Sequence, residues 1–272
     1  MIKLFDTHTH YDDRAYDSDR DELITRLLTE SVCGFVAVGC TLERSRLAVA
    51  LAEKYENAYA AVGIHPQDVE NLPPDYLKTL ESLIVGAIGA VRCNRPISPQ
   101  KKVVAIGEIG LEYFREYDKN RQNKIFREQL ELAQSLKLPV IIHSREAFSD
   151  TFEILQEYAK KDLKFVCHCF SEDGEAARKL ADLGVFVSFT GAIAFEKKTE
   201  RAVDACKNIP LELLLLETDC PYLAPPPFRG KRCDSSMAWY TAQKIAQIKK
   251  KTTDEIVEMC NNNAMRFFGI EF

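Results

Sequence analysis

The feature that most constrains the fold is a regular alternation of short apolar runs and amphipathic stretches along 272 residues. The runs are continuously apolar rather than alternating, which is typical of parallel strands buried on both faces. They are residues 2–8, 35–40, 58–65, 103–111, 139–144, 164–170, 185–191 and 213–219. Helical spacing follows at residues 19–31, 43–55, 120–137, 146–161, 171–184 and 197–208, and two more helices are predicted within 236–268.

Eight strands, each followed by a helix, predict an α/β protein of the (β/α)8 TIM barrel class, which usually takes about 250 residues. We therefore predict a single domain over residues 1–272. A doubly wound open sheet is the alternative, but no G-x-G-x-x-G follows the first strand. Residues 86–102 interrupt the rhythm before the fourth strand, and we interpret them as an insertion on the face remote from the chemistry.

Charge and cysteine usage limit the function classes. A formal net charge of -5 argues against a protein that coats nucleic acid by charge alone. No apolar run approaches the roughly 18 residues that span a bilayer, so we predict no membrane association. The nine cysteines are odd in number and never spaced as C-x-x-C, which favours reduced thiols and a cytoplasmic location.

All five histidines fall at carboxyl ends of predicted strands. His8 and His10 end the first strand, His65 the third and His143 the fifth, and His168 lies near the end of the sixth. In a barrel these ends meet at one face, where enzymes of this class build their active sites. Two acids, Glu108 and Asp219, occupy equivalent points of the fourth and eighth strands.

This set of imidazoles and carboxylates predicts a metal site. On a strand residues i and i+2 point the same way, so His8 and His10 project together, with Asp6 as support below them. For any one of these histidines, a hydrogen-bonded core residue is the alternative. Buried carboxylates need compensation, and one or two divalent cations provide it. Imidazole with carboxylate suits zinc, manganese or iron.

Seven motifs resemble the TatD family of metal-dependent deoxyribonucleases in the amidohydrolase superfamily, in order through nearly the whole chain. They are DTHTH, GIHP, AIGEIGLEYF, IIHSREA, HCFS, FTG and LLLETDCPYLAPPPFRGKR. The resemblance implies two divalent metal ions, Mg²⁺ or Mn²⁺ for activity with Zn²⁺ also compatible. It implies that His8 and His10 hold one metal with Asp219, that His143 and His168 hold the other, and that Glu108 bridges them.

The implied activity is hydrolysis of phosphodiester bonds by a hydroxide between the metals, with Asp219 and Glu108 as catalytic residues. We predict a 3′–5′ exodeoxyribonuclease that acts on single-stranded DNA ends, with RNA as a second substrate, and a monomer with a role in DNA repair. The predicted substrate-binding residues are four cationic or polar groups and one aromatic ring: His65, Arg145, Arg229, Arg232 and Tyr222.

Two other functions stay open. Related barrels hydrolyse small-molecule esters, lactones or amides with the same metal chemistry, and a non-enzymatic scaffold is the third candidate. The chain also departs from the family pattern at Glu112, where Asp is usual, at Gln67, where His is frequent, and at residues 233–236, where Asn-Glu-Pro is usual. These positions belong to loops at the predicted active-site face, so they bear on substrate choice.

Overall fold

The computed structural model describes residues 2–89, 101–197 and 199–272. Every predicted strand is present, although most are shorter than the apolar runs. The strands are β1 Leu4–Thr9, β2 Val32–Val38, β3 Ala58–Val62, β4 Val103–Glu112, β5 Val140–Arg145, β6 Phe165–Cys167, β7 Phe186–Phe189 and β8 Leu214–Leu216. The sheet order is β1-β2-β3-β4-β5-β6-β7-β8. Alternation of these strands with helices confirms the (β/α)8 TIM barrel class.

The helices also follow the predicted pattern. They are α1 Arg20–Glu30, α2 Leu42–Lys54, α3 Tyr76–Gly89, α4 Lys119–Leu136, α5 Phe148–Ala159, α6 Gly174–Asp182, α7 Glu200–Asn208, α8 Ala238–Lys249 and α9 Thr253–Phe268. The two C-terminal helices are joined by residues 250–252, within the range where two helices were predicted. In the described part of the chain, no helix has the length and apolar character needed to cross a membrane.

The sequence did not single out helix α3. The interpretation of residues 86–102 as an irregular insertion is wrong for residues 86–89, which continue this helix. Leu80 and Ile84, four residues apart, are fully buried, and this packing outweighs the cost of about 1 kcal/mol that a glycine adds to a helix. Residues 90–100 of the predicted insertion lie outside the described residues.

Contacts divide the chain into two compact units, Met1–Val36 with Val166–Phe272 (unit one) and Ala37–Phe165 (unit two). In unit one, β7 pairs in parallel with β6 and β8, with Val187 aligned to Cys167 and Leu214. All six residues of β1 are buried, as predicted for a strand covered on both faces. The single-domain prediction for residues 1–272 stays a prediction.

In unit two, β4 pairs in parallel with β3 and β5. Close approach of the backbones explains one glycine of β4. A Cβ atom at Gly110 would lie 2.0 Å from the carbonyl oxygen of His143, and φ of +146° is unfavourable for other residues. Gly110 therefore lets β4 run directly against the end of β5, where His143 projects.

Candidate metal centre

The first cluster comprises His8, His10, His168 and Asp219, all in unit one. Backbone pairing between β1 and the segment after β8 brings three of them together. The amide of Asp219 donates to the carbonyl of His8, and the amide of His10 donates to the carbonyl of Cys220. Asp219 has φ of +60°, an unusual value for a residue other than glycine, so the chain turns sharply where the strand ends.

The ligand atoms of the first cluster converge. Nε2 of His8 lies 3.2 Å from Nε2 of His10, which in turn lies 3.2 Å from Oδ1 of Asp219. Burial raises the pKa of Asp219, but the hydrogen bond from His10 and the rings of His8 and His168 outweigh it and hold the pKa below its usual range. Asp219 is therefore an ionised carboxylate at neutral pH, which suits both a metal ligand and a proton acceptor.

Asp6 accepts hydrogen bonds from the two backbone segments that carry His8 and Asp219. Its Oδ1 accepts the amides of His8 at 3.3 Å and Thr218 at 3.0 Å, and its Oδ2 accepts the Thr218 hydroxyl at 2.6 Å. Asp6 is fully buried, and burial raises its pKa to about 7. The side chain ties β1 to the end of β8, which fixes the spacing between His8 and Asp219.

Glu217 is a buried acid of unit one that the sequence analysis did not assign to the site. Its Oε1 accepts the Cys169 amide at 2.5 Å and lies 3.7 Å from Nδ1 of His168, and its Oε2 accepts the Ser188 hydroxyl. Ligand atoms of His8, His168 and Glu217 all lie within 4.8 Å of one another. Its position inside the apolar run 213–219, where a carboxylate would be buried without compensation, is the signal that could have identified it.

The second cluster comprises His65, Glu108, Glu112 and His143, all in unit two. Nδ1 of His143 lies 2.7 Å from Oε1 of Glu108, and Nε2 of His65 lies 3.6 Å from the same oxygen. Ligand atoms of His65, Glu108 and His143 lie within 4.8 Å of one another. His65 was predicted to contact phosphate; the structure places it against a predicted metal ligand, and its phosphate contact stays a prediction.

Glu112 contacts the other ring nitrogen of His143, Nε2. Its Oε2 lies 3.2 Å from Nε2 of His143 and accepts the Gln67 side-chain amide at 3.2 Å, while its Oε1 accepts the Phe114 amide at 2.9 Å. Burial raises the pKa of Glu112, but the hydrogen bonds from His143 and Phe114 outweigh it and hold the pKa below its usual range. The two departures from the family pattern, Gln67 and Glu112, are thus direct partners.

Both clusters fit a divalent cation by the chemistry of their donors. Each combines at least two imidazoles with a carboxylate, a set suited to zinc, manganese or iron. In the second cluster, both ring nitrogens of His143 face carboxylates, Nδ1 at 2.7 Å from Glu108 and Nε2 at 3.2 Å from Glu112. If Glu108 and His143 share a cation, Nδ1 would bind it and Nε2 would keep the proton that it donates to Glu112. The assignment of six ligands, and of Glu108 as a bridge, stays a prediction.

The predicted substrate-binding cations occupy different surroundings. The guanidinium carbon of Arg145 lies 4.1 Å from the Phe114 ring centre, and that of Arg229 lies 3.7 Å from the Phe195 ring centre. Arg232 instead forms two hydrogen bonds with the Asp19 carboxylate, at 2.6 and 2.7 Å. Its donors are engaged within the protein, and its role toward substrate stays a prediction.

The exposed ring of Tyr222 lies beside the first cluster. Its centre is 6.4 Å from that of His10, and its hydroxyl donates to Asp13 at 3.1 Å. The contact of Tyr222 with substrate stays a prediction.

Similar proteins are described as metal-dependent hydrolases, in agreement with the metal-binding donors of the two clusters. The chain is 38% identical to the uncharacterized metal-dependent hydrolase YabD of Bacillus subtilis over 98% of this chain and 99% of the relative. It is 35% identical to YcfH of Escherichia coli K12, also an uncharacterized metal-dependent hydrolase, over 98% and 96% of the two chains. Fold and donor set thus define a metal-dependent hydrolase with a (β/α)8 barrel.

The family follows from the match over nearly the whole chain. Residues 5–269 match the model of TatD related DNases, so the protein belongs to the TatD family. The crystal structure of YjjV, a TatD homolog of Escherichia coli K12, superimposes with a TM-score of 0.87 at 29% identity over 98% of both chains. A TatD family hydrolase of Entamoeba histolytica gives a TM-score of 0.84 at 25% identity, over 98% of this chain and 99% of the other.

Proposed function

We propose that the protein is a divalent-metal-dependent phosphodiesterase, and specifically a 3′–5′ exodeoxyribonuclease that acts on single-stranded DNA ends. The observation that carries the proposal is the convergence of two imidazole nitrogens and the ionised carboxylate of Asp219 within one cluster. Membership of a family described as TatD related DNases supports a nucleic-acid substrate. A monomeric state, a cytoplasmic location and a role in DNA repair belong to the same proposal.

The metal ions would be held by the six predicted ligands, of which His8, His10, His168 and Asp219 lie in the first cluster and Glu108 and His143 in the second. When bound, Mg²⁺, Mn²⁺ or Zn²⁺ would acidify water and offset negative charge on the phosphoryl oxygens. Asp219 supplies the proton acceptor, because the surrounding histidines keep it ionised at neutral pH.

Two stacked arginines, one in each unit, support a single-stranded substrate. Arg145 and Arg229 are each stacked on a phenylalanine ring. Such stacking orders a long side chain while its in-plane N–H groups stay available for phosphate oxygens. Aromatic rings next to these cations favour unstacked bases over duplex DNA.

The test is degradation of single-stranded DNA labelled at its 5′ end, with Mg²⁺ or Mn²⁺. Stepwise shortening from the 3′ end is expected, whereas a chelator should abolish it. A panel of aryl esters and lactones is assayed in parallel. Metal-dependent turnover of an ester or lactone, with no shortening of DNA at high enzyme concentration, would contradict the proposal and favour a small-molecule hydrolase.

A further inference from the structure

Unit one contains a pocket of about 740 Å³ that is distinct from the metal clusters. Its walls come from the segment after β6, the connection from β7 to α7, and the loop after β8. Small-molecule sites in proteins usually measure about 300–1,000 Å³, so this pocket has room for a ligand of nucleotide size.

Aromatic and aliphatic side chains form much of the wall. Phe170, Phe189, Ile193 and Phe195 all line the pocket, and the first three are buried in the protein. Phe195 is half-buried. Walls of this kind favour a flat apolar group, because aromatic rings stack on the faces of other rings.

Two cationic side chains, Lys197 and Arg229, line the pocket together with the carboxylate of Glu196. Arg229 lines the pocket and lies over the Phe195 ring, with 3.7 Å from its guanidinium carbon to the ring centre. Within residues 2–89, 101–197 and 199–272, no carboxylate forms an ion pair with Arg229. A stacked guanidinium that is not neutralised by the protein suits an anionic ligand, and its N–H groups match the oxygens of a phosphate.

The pocket adjoins the first cluster. Cys169, which follows the predicted ligand His168 directly, lines the pocket together with Thr190, and its Sγ lies 3.6 Å from the Thr190 hydroxyl. The Cys169 amide is held by Glu217 at 2.5 Å. A ligand with its phosphodiester group at the first cluster would therefore extend its remaining part along this wall.

We propose that the pocket binds the base and sugar of the terminal nucleotide of a DNA strand, with the base stacked on the Arg229–Phe195 pair. The inference rests on the proposed function, since it places the scissile phosphodiester at the first cluster. A base is favoured over an aliphatic ligand because the exposed Arg229 guanidinium, stacked on the Phe195 ring, presents a flat cationic surface on which a base can stack. Stacking is tolerant of base identity, so all four bases should bind.

The first measurement is equilibrium binding by calorimetry, with excess Mn²⁺, of deoxyadenosine monophosphate and of 2-deoxyribose 5-phosphate. The two probes share the phosphate and sugar and differ only in the base. We expect the nucleotide to bind about tenfold more tightly, the size of one base stack. Phe195→Leu should reduce this preference to less than twofold, and binding of the sugar phosphate should be unchanged.

Tyr55→Leu is the matched control, because it also removes an aromatic ring beneath a cation. Lys54 lies 5.7 Å from the ring of Tyr55, and this pair precedes β3, in unit two. The control should keep the full preference for the nucleotide. Thermal unfolding of both variants shows whether they fold. Arg229→Gln, at an exposed side chain, provides a second variant that should also reduce the preference for the nucleotide over the sugar phosphate.

A second measurement separates this inference from the proposed function. Single-stranded DNA ending in a normal 3′ nucleotide is compared with DNA ending in an abasic residue, and the normal end should have the lower KM. Equal KM values with rapid hydrolysis of both would overturn the pocket assignment alone. Tight nucleotide binding that depends on Phe195, without hydrolysis of either DNA, would overturn the proposed nuclease activity instead. Undiminished base preference in Phe195→Leu would also overturn the assignment.

Discussion

Glu112→Gln is the most informative single substitution, because it changes one hydrogen-bond acceptor and preserves the shape of the side chain. Glu112 is 1% exposed, and its carboxylate faces Nε2 of His143 at 3.2 Å and the Gln67 amide at 3.2 Å. Because a carboxylate can only accept, Glu112 favours a proton on Nε2 of His143, and Nδ1, which faces Glu108, would then be the atom that binds a metal. The side-chain amide that replaces the carboxylate would place an N–H donor opposite either Nε2 of His143 or the side-chain amide of Gln67.

The expected cost follows from this geometry. If the amide donates to His143, the ring proton moves to Nδ1, which faces Glu108 at 2.7 Å, and the ring can no longer bind a metal there. Loss of a group that orients a metal-binding histidine typically weakens metal affinity 10- to 100-fold, or about 1.4–2.7 kcal/mol. We expect a loss of this size for one bound metal ion, with the other affected less.

Calorimetric titration of the metal-free protein with Zn²⁺ or Mn²⁺ measures the effect, and circular dichroism checks the fold. Glu116→Gln is the control, since it makes the same chemical change at an exposed position four residues along the chain. Glu112→Asp should restore part of the affinity, because the carboxylate is kept. A well-folded Glu112→Gln variant whose metal affinities stay within twofold of the parent would refute the reasoning.

Two further predictions concern the first cluster and the basic loop. Asp219→Asn should lower DNA hydrolysis by more than 100-fold while the melting temperature is kept, because the proton acceptor is lost; a rate within tenfold of the parent would refute this assignment. Arg229→Ala should flatten the salt dependence of DNA binding. Arg232→Ala should leave that dependence unchanged, because the Arg232 guanidinium is already bound to the Asp19 carboxylate. Equal slopes of log affinity against log salt concentration for both variants would contradict this difference. Arg232→Ala should instead lower the melting temperature slightly. The Arg232 hydrogen bonds hold the pKa of Asp19 below its usual range, so this stabilisation should be complete above the unfolded pKa of Asp19 and lost as pH falls through the folded pKa. Unfolding curves measured from neutral to acidic pH test the sign.

The sequence alone determined the fold class and most of the candidate ligands. Parallel strands buried on both faces require continuous apolar runs, so eight such runs separated by helical spacing identify the class. Polar side chains at the ends of these runs mark the active-site face, because elsewhere on a buried strand they would lack compensation. The i, i+2 spacing of His8 and His10 was sufficient to predict that their rings project together, and their Nε2 atoms lie 3.2 Å apart.

Only the tertiary structure decided how the remaining side chains are used. Glu112 and Glu217 became visible as partners of His143 and His168 only when distant segments came together. Arg232 and Asp19, 213 residues apart in the chain, form a pair that no local pattern indicates. Helix α3 depended on the packing of Leu80 and Ile84 against the core. Strand and helix periods act over a few neighbouring residues, whereas side-chain partners and pocket walls depend on loops whose course the local sequence does not dictate.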